Sequence, residues 1–72
     1  MESESQIEES GIVKVYYPLK GFGFITRSKG KDIFFHRLDI GDEAWALEGA
    51  HVRFLVVSSE RGLQARGIKR IG

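Results

Sequence analysis

Short bursts of alternating apolar and polar residues run along this chain, separated by glycine-rich and charged stretches. Ile12–Tyr17 is β-branched and aromatic, and Pro18 closes it because proline cannot donate to a strand ladder. Phe22–Arg27 alternates again and reads as a second strand. Ser28-Lys-Gly-Lys31 is a turn, with Gly30 the residue suited to a positive φ. Asp32–His36 then returns antiparallel to the second strand. Arg37–Gly49 loses the alternation and reads as a long loop, with room for a helical turn near Asp42–Leu47. His51–Ser58 is a fourth strand, Glu60-Arg-Gly62 a tight turn and Leu63–Ile71 a fifth strand. No segment holds an apolar stripe at helical spacing over about ten residues. The pattern predicts an all-β protein, a five-stranded antiparallel barrel whose closure hides its strand edges.

The alternation also assigns faces. Inward positions are expected at Val13, Val15, Ile25, Ile33, Phe35, Val52, Phe54, Val56 and Ile68, with Ile40 and Leu47 plugging an end. Alternate strand residues share a face, so Phe22 and Phe24 emerge together on the other side, as do Phe34 and His36, with Lys20 beside them. Core packing is the default role of phenylalanine, but one small barrel has one core, and its inward positions are already filled. A patch of three exposed rings marks a binding site. Rings beside positive charge form a platform for stacking bases while phosphates are neutralised; the competing occupant is a protein partner. Gly21 and Gly23 let the strand bend around the barrel or let backbone approach a ligand.

Length and charge refine this picture. Seventy-two residues make one domain with a thin stability margin. Met1–Ser10 holds four glutamates and no base and is expected to be a disordered acidic tail ahead of a domain spanning 11–72. The rest carries all 11 Lys and Arg against six acids, a basic balance that suits a polyanion. The tail could compete with phosphates or simply add solubility. Lys14, Lys20, Lys29 and Lys31 lie on or beside the first three strands and are the candidate electrostatic track. For the Arg66-Lys69-Arg70 cluster, phosphate contact and ordinary solvated charge stand level. The absence of cysteine excludes disulfides and thiolate metal sites and suits a cytoplasmic setting. The apolar runs are too short for a membrane span, and the polar start does not suit a signal peptide. His36 can stack or hydrogen-bond to a base, whereas His51 reads as a solvated strand end. Neither has a nucleophile, an orienting carboxylate or metal-ligand partners in sequence reach. No catalytic residue, metal, cofactor or small-molecule substrate is therefore expected. Trp45 is either a loop anchor or a stacking platform.

Gly11-Ile-Val-Lys14, Lys20-Gly-Phe-Gly-Phe-Ile-Thr26, Asp32-Ile-Phe-Phe-His36, Leu47-Glu-Gly49 and Arg61-Gly-Leu-Gln-Ala65 together resemble the cold-shock domain family over Gly11 to about Ile71. RNA-recognition motifs share a similar central segment, but they need two amphipathic helices that are missing here. The resemblance implies a barrel of the OB-fold class that binds single-stranded RNA or DNA with little sequence preference. It implies an RNA chaperone or antiterminator that melts weak secondary structure, while the short protected edges of such a barrel suggest a monomer. Carried over by position, Lys14, Lys20, Phe22, Phe24, Asp32, Phe34, His36 and Arg61 are nucleic-acid contacts, and Trp45 falls near a loop aromatic. The chain also departs from the family pattern. Val15-Tyr16-Tyr17 stands where Trp-Phe-Asn is usual, Arg37 where Phe is common, and Leu63 replaces a proline. The lost ring at 15 leaves Tyr16, with Arg37 and Trp45, as the expected compensation. These departures also admit a rival reading, a protein-interaction module redirected towards a partner such as RNA polymerase.

Overall fold

The computed structural model describes residues 7–41, 48–60 and 62–71. Five strands are formed: β1 (Ile7–Tyr17), β2 (Phe22–Arg27), β3 (Ile33–His36), β4 (His51–Ser59) and β5 (Gly62–Arg70). They close into a barrel in the order β1-β2-β3-β5-β4. β1 pairs antiparallel with β2 and with β4, as β2 does with β3 and β4 with β5. The closing contact departs from an all-antiparallel scheme: β3 meets β5 in parallel, through Phe34 and Gln64. No helix among the described residues is long and apolar enough to cross a membrane.

The β2–β3 turn is built as its sequence predicts, with Gly30 at φ +86°. β1 differs from expectation at its start. It begins at Ile7 and not at Gly11, because Ile7–Ser10 continue the ladder with β4, Ile7 opposite Val56 and Ser10 opposite Arg53. The acids there are accommodated at the surface: Glu8 pairs with Arg53 at 3.0 Å and Glu9 with Arg27 at 3.2 Å. Half of the expected tail's glutamates are thus held on the barrel wall. Residues 1–6 lie outside the described residues, as do Asp42–Leu47, including the expected helical turn and the Leu47 plug. A 3-10 turn, Arg37–Asp39, follows β3 directly.

The core is formed by Val13, Tyr16, Ile25, Ile33, Phe35, Ile40, Ala50, Val52, Phe54, Val56, Ala65 and Ile68. Ile40, from the segment after β3, is buried with them. Position 15 does not match the expectation. The β1–β2 register shifts between Val13 and Val15, a β-bulge. One extra residue in a strand reverses its alternation from that point on. Val13 and Tyr16 therefore both point inward, while Val15 is only half-buried. The Tyr16 ring stacks on Phe35, with centroids 5.8 Å apart and planes 12° apart. A carboxylate takes the amide that the bulge frees: Tyr16 N–H donates to Glu48 Oε2 at 3.0 Å. Backbone bonds from Gly49 to the Val13 carbonyl and from Val13 to the Ala50 carbonyl hold the returning loop against the bulge.

At Gly23 the constraint is close packing. A Cβ there would run into the Val15 carbonyl oxygen and come within 2.7 Å of the Phe35 ring. Glycine lets Phe35 lie flat beneath β2, so the rings on either side of position 23 can face outward.

Candidate nucleic-acid interface

Cross-strand register builds the site. Phe24 lies opposite Phe34 and Phe22 opposite His36 on the β2–β3 pair. On the other flank of β2, Tyr17 lies opposite Phe22 and Val15 opposite Phe24. The rings form a connected group, with centroids 5.3 Å apart for Tyr17–Phe22, 5.7 Å for Phe22–Phe34, 6.0 Å for Phe24–Phe34 and 6.1 Å for Phe22–Phe24. Edge-on and tilted contacts of this kind brace rings against each other while leaving ring surface exposed. The three phenylalanines are half-buried, and Tyr17 is 42% exposed.

Tyr17 joins the outer ring group although sequence reasoning did not put it there, and Tyr16, expected on that face, is in the core. The same bulge explains both: Tyr16 is 7% exposed and stacked in the core, while its neighbour moves onto the outer face. Two adjacent tyrosines at a strand end, opposite Gly23 and Phe22, were the available signal. Gly23, opposite Tyr16, carries no side chain to compete for the inward space that ring takes.

Charge borders the rings on two sides. Lys20, in the turn after β1, places Nζ 5.6 Å from the Tyr17 ring centroid, a cation–π contact. At the other border Lys14 Nζ donates to Asp32 Oδ2 at 3.0 Å. These two residues, with Val15, Tyr17, Phe24 and Lys31, line an open recess of about 610 Å³. The recess lies over Val15, where a small side chain leaves a hollow between Tyr17 and Phe24.

His36 is oriented by its own turn. Its Nδ1 accepts the Leu38 N–H at 3.2 Å, and its backbone N–H donates to Asp39 Oδ2 at 3.2 Å. The same Asp39 carboxylate accepts from Gln64 Nε2 at 3.2 Å and faces Arg66 Nε at 3.7 Å. With Nδ1 engaged, Nε2 is the ring nitrogen left for a ligand. Arg37 is exposed next to this turn, and its backbone N–H ties the turn to the Gly21 carbonyl at 2.8 Å. The structure thus brings together Lys14, Lys20, Phe22, Phe24, Asp32, Phe34 and His36, with Arg37 at the margin. Trp45 and Arg61 lie outside the described residues. Among the described residues no cluster of His, Asp and Glu could hold a metal ion.

Comparison with known proteins identifies the family and the fold. The "Cold-shock" DNA-binding domain matches residues 9–71. The retron Se72 cold shock-like protein of Salmonella heidelberg is 35% identical over 66 residues, covering 88% of this chain and 98% of that protein. The major cold shock protein CspA of Pseudomonas aeruginosa is 42% identical over 59 residues, 79% of this chain and 86% of the relative. Cold shock protein CspC of Bacillus subtilis is 39% identical over 64 residues, 86% and 97% of the two chains. Among solved structures, drosophila Unr superposes with a TM-score of 0.75 at 28% identity. That match covers 93% of this chain but only 28% of the longer Unr chain. This chain belongs to the cold-shock domain family, a nucleic-acid-binding family built on the OB-fold barrel.

Proposed function

We propose that this protein binds single-stranded RNA or DNA, as a monomer, by stacking unpaired bases on Tyr17, Phe22, Phe24, Phe34 and His36. Lys14, Lys20 and Arg37 lie where they can neutralise the backbone, Arg61 joins them through its family position, and Trp45 falls near a loop aromatic of the family. The observation that carries this reading is the connected group of four outward rings with a lysine at each border. Stacking is worth about 1–3 kcal/mol per base and tolerates any sequence, since every base has a π-face. Tyr17 supplies a ring that the Val15 departure removes, so the platform is displaced along β1 more than it is diminished.

The mechanism is passive. A protein that binds only the open form of a hairpin shifts the equilibrium towards melting by mass action, and neither ATP nor a catalytic group is required. The activity is that of an RNA chaperone or transcription antiterminator of the cytoplasm. Titration with a short oligopyrimidine DNA, followed by Trp45 fluorescence, tests it. Tight binding that weakens with salt, with a log–log slope of about −0.7 per phosphate neutralised, supports the reading. No binding at low salt with the barrel intact overturns it. That outcome would favour the protein-interaction reading, for which the exposed Leu19 and Leu38, on adjoining turns, are the observation.

A further inference from the structure

The wall of the barrel across from β2 is formed by β4 and β5, and its outward chemistry is different. The eighteen residues His51–Ser59 and Gly62–Arg70 contain four cations, Arg53, Arg66, Lys69 and Arg70, and no acid. Register places Arg53 opposite Lys69 and Leu55 opposite Arg66, so three of these cations lie close together on the outer surface. Arg70, opposite Val52, extends the row to the barrel rim. Lys69 and Arg70 make no ion pair among the described residues. Arg53 and Lys69 line a recess of about 240 Å³ with Glu8, Leu55 and Gly67. Two acids reach the wall from other elements: Glu8 Oε2 of β1 meets Arg53 Nε at 3.0 Å, with both side chains more than half exposed, and Asp39 Oδ1 faces Arg66 Nε at 3.7 Å.

We infer that this wall is a second nucleic-acid surface, one that holds the phosphate backbone of a duplex while the aromatic face holds a single strand. The wall has no exposed Phe, Tyr or Trp among its described residues, and its one imidazole, His51 at the start of β4, is not part of a group of adjoining rings, so the wall offers no platform for stacking successive bases. What it offers is charge in a row. Residues 66 to 70 of a strand span about 13 Å, and a duplex presents a charge every ~1.7 Å of its axis. The cations therefore find phosphates without any special register. A folded acidic protein would have to match them position by position. Glu8 acts as a built-in competitor, since it occupies Arg53 when no phosphate does. The surface lets one molecule hold a melted strand beside a neighbouring helix of the same RNA. It shares no residue with the aromatic face, so either reading can fail alone.

The test is fluorescence anisotropy of a labelled, blunt 20-base-pair DNA duplex in low salt, with and without saturating hexathymidine. The duplex is expected to bind with a log–log salt slope of about −2 to −4, as for two to four phosphates on B-DNA, and to remain bound when hexathymidine is present. Lys69→Gln should weaken duplex binding roughly five- to tenfold at 0.1 M salt and leave hexathymidine binding unchanged. Glu8→Gln should tighten duplex binding several-fold by freeing Arg53. Both positions are exposed, and circular dichroism confirms that each variant folds. The Phe22→Ala/Phe34→Ala variant should lose hexathymidine and keep the duplex, which separates the two surfaces. Displacement of the duplex by hexathymidine, or indifference to both Lys69→Gln and Glu8→Gln, overturns the inference. Polyglutamate of equal charge binding as tightly as the duplex would also overturn it, in favour of an acidic protein.

Discussion

The two walls of this barrel face one core and differ only outside it. Ile25, Ile33 and Phe35 line the interior from β2 and β3, while Val52, Phe54, Val56, Ala65 and Ile68 line it from β4 and β5. Both sets are buried aliphatic and aromatic side chains of the same kind. Outward, β2 and β3 present Phe22, Phe24, Phe34 and His36, whereas β4 and β5 present Arg53, Leu55, Arg66 and Lys69. The second wall closes the barrel with no outward Phe, Tyr or Trp among its described residues, so the phenylalanines on the first are not a requirement of the fold. Apolar surface left half-exposed on a small protein favours aggregation and adds little to the core. The β4–β5 wall has scattered aliphatics, Leu55, Val57 and Leu63, whereas the β2–β3 wall gathers contiguous aromatic rings, and that concentration is the physical argument for a ligand there.

The comparison breaks most severely at adjacent residues of β3. Phe35 is fully buried and Phe34, one residue earlier, is on the face. Phe35→Ala should cost about 3–5 kcal/mol of stability, comparable to the whole stability of a domain this size, and Phe54→Ala on the opposite wall should cost about the same. Urea titration followed by circular dichroism checks both. If Phe35→Ala were harmless and Phe54→Ala were not, the walls would not share one core. Phe34→Ala should retain the fold, losing only the ring–ring contacts at about 0.5–1.5 kcal/mol each. Its binding loss should be larger, about 1–3 kcal/mol for a single-stranded ligand. Equal losses of stability and binding at position 34 would mean that the face is core after all.

Sequence alternation carries most of this architecture. The strands, the Gly30 turn, the inward set other than Val15, and the outward grouping of Phe22, Phe24, Phe34 and His36 all come from a period of two. Alternation cannot carry the bulge. A bulge is one unpaired residue, with no composition of its own, and it reverses the faces of the residues after it. A strict period of two therefore assigns Val15 and Tyr16 to each other's environments and leaves Tyr17 out of the site. The start of β1 is hidden for a different reason. Glu8 and Glu9 read as tail because acids disfavour strands on average, yet on an outward face each needs only a cation nearby, and Arg53 and Arg27 supply one. Those cations are 45 and 18 residues away in sequence, beyond local reading.

Glu48 offers the next test, because it fixes which tyrosine faces out. Its carboxylate holds the Tyr16 N–H across the bulge. A hydrogen bond to a charged group contributes about 1.5–3 kcal/mol, reduced here because Glu48 is exposed at the surface. Glu48→Ala should therefore cost about 1–2 kcal/mol in urea titration. It should also broaden the amide signals of Val15–Tyr17 in NMR spectra, as the bulge loses its clamp. Unchanged signals there would show that packing of Tyr16 on Phe35 suffices to set the register.

The smallest effect is also the most discriminating between the walls, because it is a gain. Val15 leaves an open recess between Tyr17 and Phe24, bordered by the Lys14–Asp32 pair. Val15→Phe would place a ring in that hollow, opposite Phe24 in the β1–β2 register, and extend the row of stacking surfaces by one. Valine already contacts whatever lies in the recess, so the gain should fall at the low end of a stack, about 1 kcal/mol, or roughly fivefold in affinity for an oligopyrimidine. The recess is open, so the added ring meets no core atom and stability should hold. Leu55→Phe on the opposite wall adds the same ring with no neighbouring platform and should leave single-strand binding unchanged. If the two substitutions tightened binding equally, ring content alone would govern affinity. If only Val15→Phe does so, affinity depends on contiguity with Tyr17, Phe22, Phe24 and Phe34, and a base is held by the face as a whole.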